Sequence, residues 1–426
     1  MMGYAGINPN IQTPQMDLLA KQGCYFSNAF VTTPISAASR ASILTGLYER
    51  TCGYNFGTGN LKEPYRALLY PTYLKNNGYY TGCFGKLGVR IPESKTLFDE
   101  CDYYLFSGYR DKRCYFYKTI NGDTVHLTTF TGHQAVEFIE NAPEDKPFIL
   151  NVGFAAPHAA DQAPDQYFWS EANNEIYEDM TMPDPILNDE KYFNRLPKEV
   201  RVGESWIRWK WRYDTPEKYQ HSIKGYFRMI KDIDDEIAKI RTALEKKGVA
   251  DNTVIIFMGD NGYFLGERKI AGKWLMYDNS LRVPMAIYDP RADRHRDIDD
   301  MVLNIDITQT ILDLAQIPAP KEYQGVSLVP YLEGGKPKVK RDAILFEHLL
   351  NNPRIPQSEG LRTERWKYMR YRQVEAPEEL YDLQKDPLET ENLAGQKKYE
   401  KVLLKMRQEC DRQIKKYTDA QLTPKN

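Results

Sequence analysis

Apolar positions along the chain follow two periods, and together they predict an α/β protein. The clearest helical period lies over 219–247, where Ile223, Phe227, Ile230, Ile233, Ile237, Ile240 and Leu244 form one stripe that stops at Gly248. Shorter helices are predicted over 14–22, with Thr13 at the cap, Pro14 in the first turn and Gly23 at the stop, and over 73–77, 130–141, 306–314 and 397–417. Short apolar runs predict strands over 24–32, 79–84, 147–154, 285–288 and 343–346. The run Thr253-Val254-Ile255-Ile256-Phe257-Met258 is the clearest candidate for a fully buried strand.

Residues 159–211 break this rhythm, being rich in acidic residues, Pro and aromatics. A long loop of this kind on an α/β scaffold shapes a substrate pocket. Trp206, Trp209 and Trp211 either stack on sugar rings or pin the insertion to the core, with pinning favoured. Gly334-Gly335-Lys336-Pro337-Lys338 reads as a flexible joint, dividing a catalytic domain over 1–336 from a smaller C-terminal subdomain over 337–426.

Composition narrows the function classes. With 426 residues and 42% hydrophobic content, the chain can bury a sizeable core. A formal net charge of −2 supplies no global field for nucleic acid or membrane. No apolar run is long enough to span a bilayer, and the first residues carry no charged n-region or apolar h-region of a signal peptide. Six cysteines show neither CxxC pairing nor disulfide-scaffold density.

Candidate chemistry collects at strand ends and at one helix start. Ser36 opens the run Ser36-Ala37-Ala38-Ser39-Arg40, which leads into a helix stopping at Gly46; the positive end of that helix suits an anion, although capping by Ser36 or Ser39 is the commoner job of serines at such a place. Lys86 follows the 79–84 strand and His158 follows the 147–154 strand. The alternatives are a surface lysine and a structural hydrogen-bonder. Asp260 and Asn261 follow the 253–258 strand, where adjacent carboxylate and amide oxygens suit a hard cation such as calcium, or make an ordinary Asx turn. Asp232 and Asp235, on the long helix, read as solvated-face residues.

The Ser36-x-Ala38-x-Arg40 run closing on Leu44-Thr45-Gly46 resembles the signature of the type I, formylglycine-dependent sulfatases in its serine version. Further blocks extend the resemblance along essentially the whole chain: Gly85-Lys86, Ala155-Ala156-Pro157-His158, Asp260-Asn261-Gly262, Gly266-Glu267, Gly272-Lys273 and the C-terminal region. It implies an alkaline-phosphatase-like mixed sheet flanked by helices, with a small antiparallel α+β subdomain. It also implies a bacterial hydrolase of sulfate esters, engaged in glycan degradation and periplasmic or secreted.

On the same resemblance, Ser36 is oxidised to formylglycine by a transient sulfatase-maturating enzyme, and the hydrate is the nucleophile. Arg40 and a calcium held by Asp260 and Asn261 keep that nucleophile ionised. Lys86 and Lys273 grip the sulfate, and His158 protonates the leaving group. His348, Arg354 and the 360–363 run resemble sulfatases acting on sulfated carbohydrates. The rival readings are a phosphatase or phosphodiesterase using unmodified Ser36, and a non-catalytic sulfoglycan-binding relic. Two departures stand out: Gly88 replaces a customary His, and the Asp-Asp that ends the family's first strand is missing, with Met1 where its second Asp belongs. They imply a chain short at its N-terminus that binds calcium poorly and is weakly active.

Overall fold

A computed structural model describes residues 2–92, 94–105 and 112–423, with the side chains of 94 and 95 excepted. Met1, and with it the expectation placed on that position, lies outside the described residues.

Two sheets organise the chain ahead of its C-terminal strands. In one, Tyr80–Lys86 runs parallel between Glu100–Tyr104 and Phe148–Gly153. The other is mixed, ordered Arg296–Ile298, Cys24–Phe26, Met285–Tyr288 and Ile255–Met258. The helix Pro216–Lys247 lies along Leu127–Asn141, buries Ile223, Phe227, Ile230, Ile233, Ile237 and Leu244, and ends at Gly248 with φ 75°. Its stripe is therefore the core face its periodicity predicted.

The 253–258 run departs from expectation. Its strand is Ile255–Met258, and each of its residues is only half-buried. It stands at the edge of its sheet, paired on one side by Met285–Tyr288, and Phe148–Gly153 likewise edges the other sheet. Phe148, Leu150 and Ile255 nonetheless pack around the same buried group of Phe84, Phe138 and Leu244. The 24–32 strand is also divided, into Cys24–Phe26 and Ala29–Phe30, because the chain steps from one parallel partner, Arg296–Ile298, to another, Val302–Leu303.

Thr13 does not cap its helix; its Oγ1 donates to Asp17 Oδ1 at 2.9 Å. The free backbone N–H groups of Gln15 and Met16 are instead accepted by Asp234 Oδ1, at 2.9 and 2.8 Å. Nor is Asp232 solvated. It is buried, accepting from Ser170 and from Asn173 Nδ2, and so ties the 159–211 insertion to the long helix. Asp235 is half-buried and accepts from Asn173 Nδ2 at 3.1 Å. The insertion itself contains the helix Glu204–Arg212. Trp209 on that helix packs against the core, and Trp206 lies against Phe193 with Lys210 Nζ 3.8 Å above its ring.

Toward the C-terminus, Ile344–His348, Ser358–Arg362, Trp366–Tyr371 and Glu379–Asp382 form an antiparallel sheet covered by the helix Glu400–Asp419. The first of these strands extends beyond the expected 343–346 and takes in His348. One apolar cluster runs from Phe30, Tyr48 and Leu275 into Phe346, Tyr368 and Tyr417, joining this layer to the rest. No disulfide links the cysteines, and no helix among the described residues is long and apolar enough to cross a membrane.

Candidate active site

The helix Ser36–Thr45 starts directly after extended Ile35 (φ −151°, ψ 131°) and closes on Gly46, whose φ of 69° is the left-handed conformation glycine adopts freely. Ser36 occupies the first helical position and its hydroxyl does not turn back to cap. Instead, Ser36 Oγ donates to Asn261 Oδ1 at 3.2 Å and accepts from Lys273 Nζ at 3.0 Å. Ser39 is not a cap either, because its Oγ accepts from Asn304 Nδ2 at 3.0 Å. Lys273 Nζ also donates to Asn261 Oδ1 at 3.1 Å, closing a triangle around the Ser36 oxygen.

One turn further along, Arg40 projects to the same place. Its Nε donates to Asp260 Oδ2 at 2.8 Å, and its Nη1 donates to the Lys86 carbonyl. Gly88, where the resemblance expects a His, lies against this guanidinium arm: with φ 73°, a Cβ there would stand 2.8 Å from Arg40 Cδ. With Arg40 in this position, a side chain at 88 would require the arginine arm to shift.

Ser36, Arg40, Lys86, His158, Asp260, Asn261 and Lys273 therefore converge, delivered by one helix start and by segments that follow strand ends. Burial pushes the Lys86 ammonium down to about 7; Asp260 opposes the fall, and Arg40 and Lys273 add to it. Lys273 is likewise lowered by burial to about 8, with Asp260 opposing and Arg208 contributing. Burial acts to raise the Asp260 carboxyl, but Arg40, Lys86 and Lys273 outweigh it and hold the group well below the usual carboxylate range. His158 Nδ1 lies 2.7 Å from the Ala159 carbonyl and so carries the hydrogen, leaving Nε2 as the basic nitrogen. Burial, then Lys86 and Lys273, push His158 down to about 3, while Asp161 opposes them. The resting site is thus an excess of positive charge around one hydroxyl, with a neutral imidazole at its margin.

Further residues join this site that sequence reasoning did not single out. Asp161, three residues beyond His158, accepts from both Arg208 and the fully buried Arg212. Trp274 donates its backbone N–H to the Pro34 carbonyl at 3.1 Å and packs with Ile35 and Ala38, fixing Lys273 to the chain that leads into Ser36. The available signal was the i, i+4 spacing of Glu204, Arg208 and Arg212 on one helix face.

The glycan-facing expectations fare differently. His348 ends its strand with 0% exposure, and neither ring nitrogen has a hydrogen-bond partner among the described residues; burial alone lowers it to about 3. No hydrogen bond joins it to the Ser36 group. Arg362, in the 360–363 run, is buried and donates to Asp278 Oδ1 at 3.2 Å. Its Cζ also lies 4.7 Å above the Phe30 ring, a packing role. Arg354 is exposed at the rim of the insertion, its carbonyl accepting from Glu204 N at 2.9 Å.

The site was also weighed as a calcium centre. Calcium takes about 6–8 oxygen ligands. Here Asp260, Asn261 and Ser36 are the oxygens that meet; Asp260 Oδ2 is held by Arg40, and Asn261 Oδ1 already accepts from Lys273 and Ser36. Among the described residues no group of three or more His, Cys, Asp or Glu is placed to hold a metal. The residues in this structure do not make a calcium site.

An α/β scaffold that gathers two lysines and an arginine beside a hydroxyl at a helix start suits an anionic ester. Residues 2–317 match the Sulfatase family, and residues 266–416 match the C-terminal region of N-sulphoglucosamine sulphohydrolase. An arylsulfatase of Clostridium perfringens is 27% identical, covering 97% of this chain and 93% of that protein. An N-acetylglucosamine-6-O-sulfatase of Bacteroides thetaiotaomicron is 26% identical, covering 96% and 83%. Among solved structures, one bound to its substrate D-glucosamine-2-N,6-O-disulfate superposes with a TM-score of 0.80 at 24% identity, covering 96% of this chain and 94% of that one. A phosphonate monoester hydrolase of Agrobacterium radiobacter superposes at 0.78 with 22% identity, covering 97% and 92%. The chain belongs to the sulfatase family. It is a sulfuric ester hydrolase with the alkaline-phosphatase-like fold.

Proposed function

We propose that this sulfatase cleaves sulfate esters of glycans, with residue 36 as the nucleophile after its serine is matured to formylglycine. The observation that carries the reading is the pair of hydrogen bonds by which Lys273 and Asn261 hold Ser36 Oγ at the helix start. Maturation by a sulfatase-maturating enzyme removes two hydrogens from the Ser36 side chain, and the hydrated aldehyde supplies a hydroxyl that attacks sulfur and a second that expels sulfate.

The other residues do electrostatic and proton work. Lys86 Nζ makes no hydrogen bond to a described residue and is available to a sulfate oxygen; Lys273 is positioned for a second. One cation about 4 Å from a sulfate oxygen contributes about 4 kcal/mol at an effective dielectric near 20. The helix end adds roughly 0.3–1 kcal/mol. The lysines therefore dominate the grip. Burial is the main cause that keeps His158 neutral, and an arriving anion offsets the Lys86 and Lys273 repulsion that adds to it, favouring a proton on Nε2 that can pass to the departing alcohol. Arg40 keeps Asp260 charged and fixes the Lys86 carbonyl, holding the lysine's strand end in place.

Sulfated carbohydrate is the proposed substrate class, in keeping with the relatives named N-acetylglucosamine-6-O-sulfatase, ulvan-active sulfatase and Δ4,5-hexuronate-2-O-sulfatase. That role fits a bacterial protein acting in the periplasm or outside the cell. The test has two parts. Coexpression with an anaerobic maturase should shorten the mass of the residue-36 peptide by two hydrogens, and the matured protein should release sulfate from members of a sulfated saccharide panel. Sulfate release with residue 36 unmodified would overturn the nucleophile; no release from any saccharide would overturn the substrate class.

A further inference from the structure

We infer that Arg208 is a specificity-determining residue that reads a second acidic group on the substrate, beside the sulfate being cleaved. The inference rests on the sulfated-glycan reading above and deepens it.

Arg208 lies on the insertion helix Glu204–Arg212, and its guanidinium is fixed on three sides. Nε donates to Glu204 Oε1 at 2.8 Å, Nη2 pairs with Asp161 Oδ2 at 2.9 Å, and Cζ lies 4.9 Å above the Trp274 ring. Trp274 is the residue whose N–H is bonded to Pro34, so the cation is stacked on the segment that positions Ser36. Its charge is felt in the site, where it contributes to lowering both Lys273 and His158.

Structural need does not account for this arginine. Asp161 already has the fully buried Arg212, which is further held by the Tyr263 hydroxyl at 2.8 Å. Glu204 has a second cation nearby, Arg354 at 3.8 Å. Arg208 Nη1 makes no hydrogen bond to a described residue, and the side chain keeps 15% of its surface exposed. A rigid, partly accessible guanidinium with spare donors is suited to a carboxylate or sulfate.

Charge balance points the same way. Arg40, Lys86, Lys273, Arg208 and Arg354 outnumber Asp260 and Glu204 once Asp161 is assigned to Arg212. A single sulfate ester brings one negative charge to the Ser36 end and leaves the insertion side uncompensated. A glycan bearing a further sulfate or a uronate carboxylate supplies it.

The test compares the full chain with Arg208→Gln and Arg208→Lys. Affinities are measured calorimetrically on unmatured protein for N-acetylglucosamine-6-sulfate, D-glucosamine-2-N,6-O-disulfate and a sulfated uronyl disaccharide; kcat/KM on matured protein runs in parallel. Wild type should prefer the two diacidic ligands. The Gln variant should reduce the diacid-to-monosulfate affinity ratio by about 10- to 100-fold, the scale of a lost hydrogen bond to a charged group, with Lys intermediate. Response of only one diacid identifies the acid read as sulfate or carboxylate. An equal loss on all three ligands, or an unchanged ratio, overturns the assignment, as does a wild type with no diacid preference. Failure of the sulfatase reading shows separately, as absence of sulfate release by matured wild type.

Discussion

Lys273 Nζ stands 3.0 Å from Ser36 Oγ and 3.1 Å from Asn261 Oδ1, so one ammonium bridges the Ser36 hydroxyl and the amide that receives its hydrogen. On the proposed reading the same nitrogen meets the sulfate and shares that duty with Lys86. Lys273→Ala and Lys86→Ala should each lower kcat/KM by about two orders of magnitude or more, from the charge arithmetic of a single cation near a sulfate oxygen. Steady-state sulfate release by the matured variants checks this. Near-normal kinetics in both would remove the lysines from the site.

The two lysines also set a pH dependence. Burial lowers the Lys86 ammonium to about 7 and that of Lys273 to about 8 in the free protein. Anion binding favours both ammonium forms, so sulfate affinity should fall as pH rises through 7 to 8, and binding at pH 8 should take up protons. For folding the sign is opposite. Both values lie below the ordinary lysine value of 10.5, so the unfolded chain binds more protons between about 7 and 10.5, and these groups add stability as pH rises through that window. Calorimetry in buffers of different ionisation enthalpy measures the proton uptake, and a sulfate-induced rise in Tm should be larger at pH 6.5 than at pH 8.5.

Much of this architecture was legible because local rules agreed with tertiary need. The 219–247 stripe became the core face of its helix, and Gly46 and Gly248 both took the left-handed stop. Lys86, His158 and Asp260 were legible as positions at strand ends, a rule of chain geometry that needs no distant partner, whereas Lys273 was legible only through the resemblance. What was missed depends on partners far apart in sequence. Apolar content made 253–258 look enclosed, but enclosure needs strands on both sides and Ile255–Met258 has one. Asp232 was assigned to solvent because only the folded insertion brings Ser170 and Asn173 to it. His348 was assigned to substrate, whereas strand pairing with Ser358 encloses it.

Asp234 offers a stability test away from the chemistry. Its Oδ1 accepts the Gln15 and Met16 N–H groups, doing for the Pro14–Gln22 helix what Thr13 does not. Loss of such a cap costs about 1–2 kcal/mol. Asp234→Ala should therefore lower the unfolding free energy by about that amount in urea titrations with an unchanged m-value, while Thr13→Ala should leave the cap intact. A larger loss from Thr13→Ala than from Asp234→Ala would reverse the assignment.

Calcium gives the last expectation. The oxygens that meet at the site are Ser36 Oγ, Asn261 Oδ1 and the Asp260 carboxylate, and each already has a role in the hydrogen-bond and ion-pair network. Arg40 and Lys273 supply positive charge at the point where a dication would sit, and a sphere of about 6–8 oxygens cannot be completed from these residues. This 426-residue chain should therefore bind calcium weakly, and its Tm should be insensitive to chelator. The measurement is sensitive, because a ligand at 100 times its Kd adds about 2.7 kcal/mol to stability. A Tm raised by micromolar calcium, and lowered again by chelator, would show that ligands outside this set complete the sphere. If that rise also vanished in Asp260→Asn, it would place the ion beside Ser36 and return Arg40 to a role beside a metal rather than in place of one.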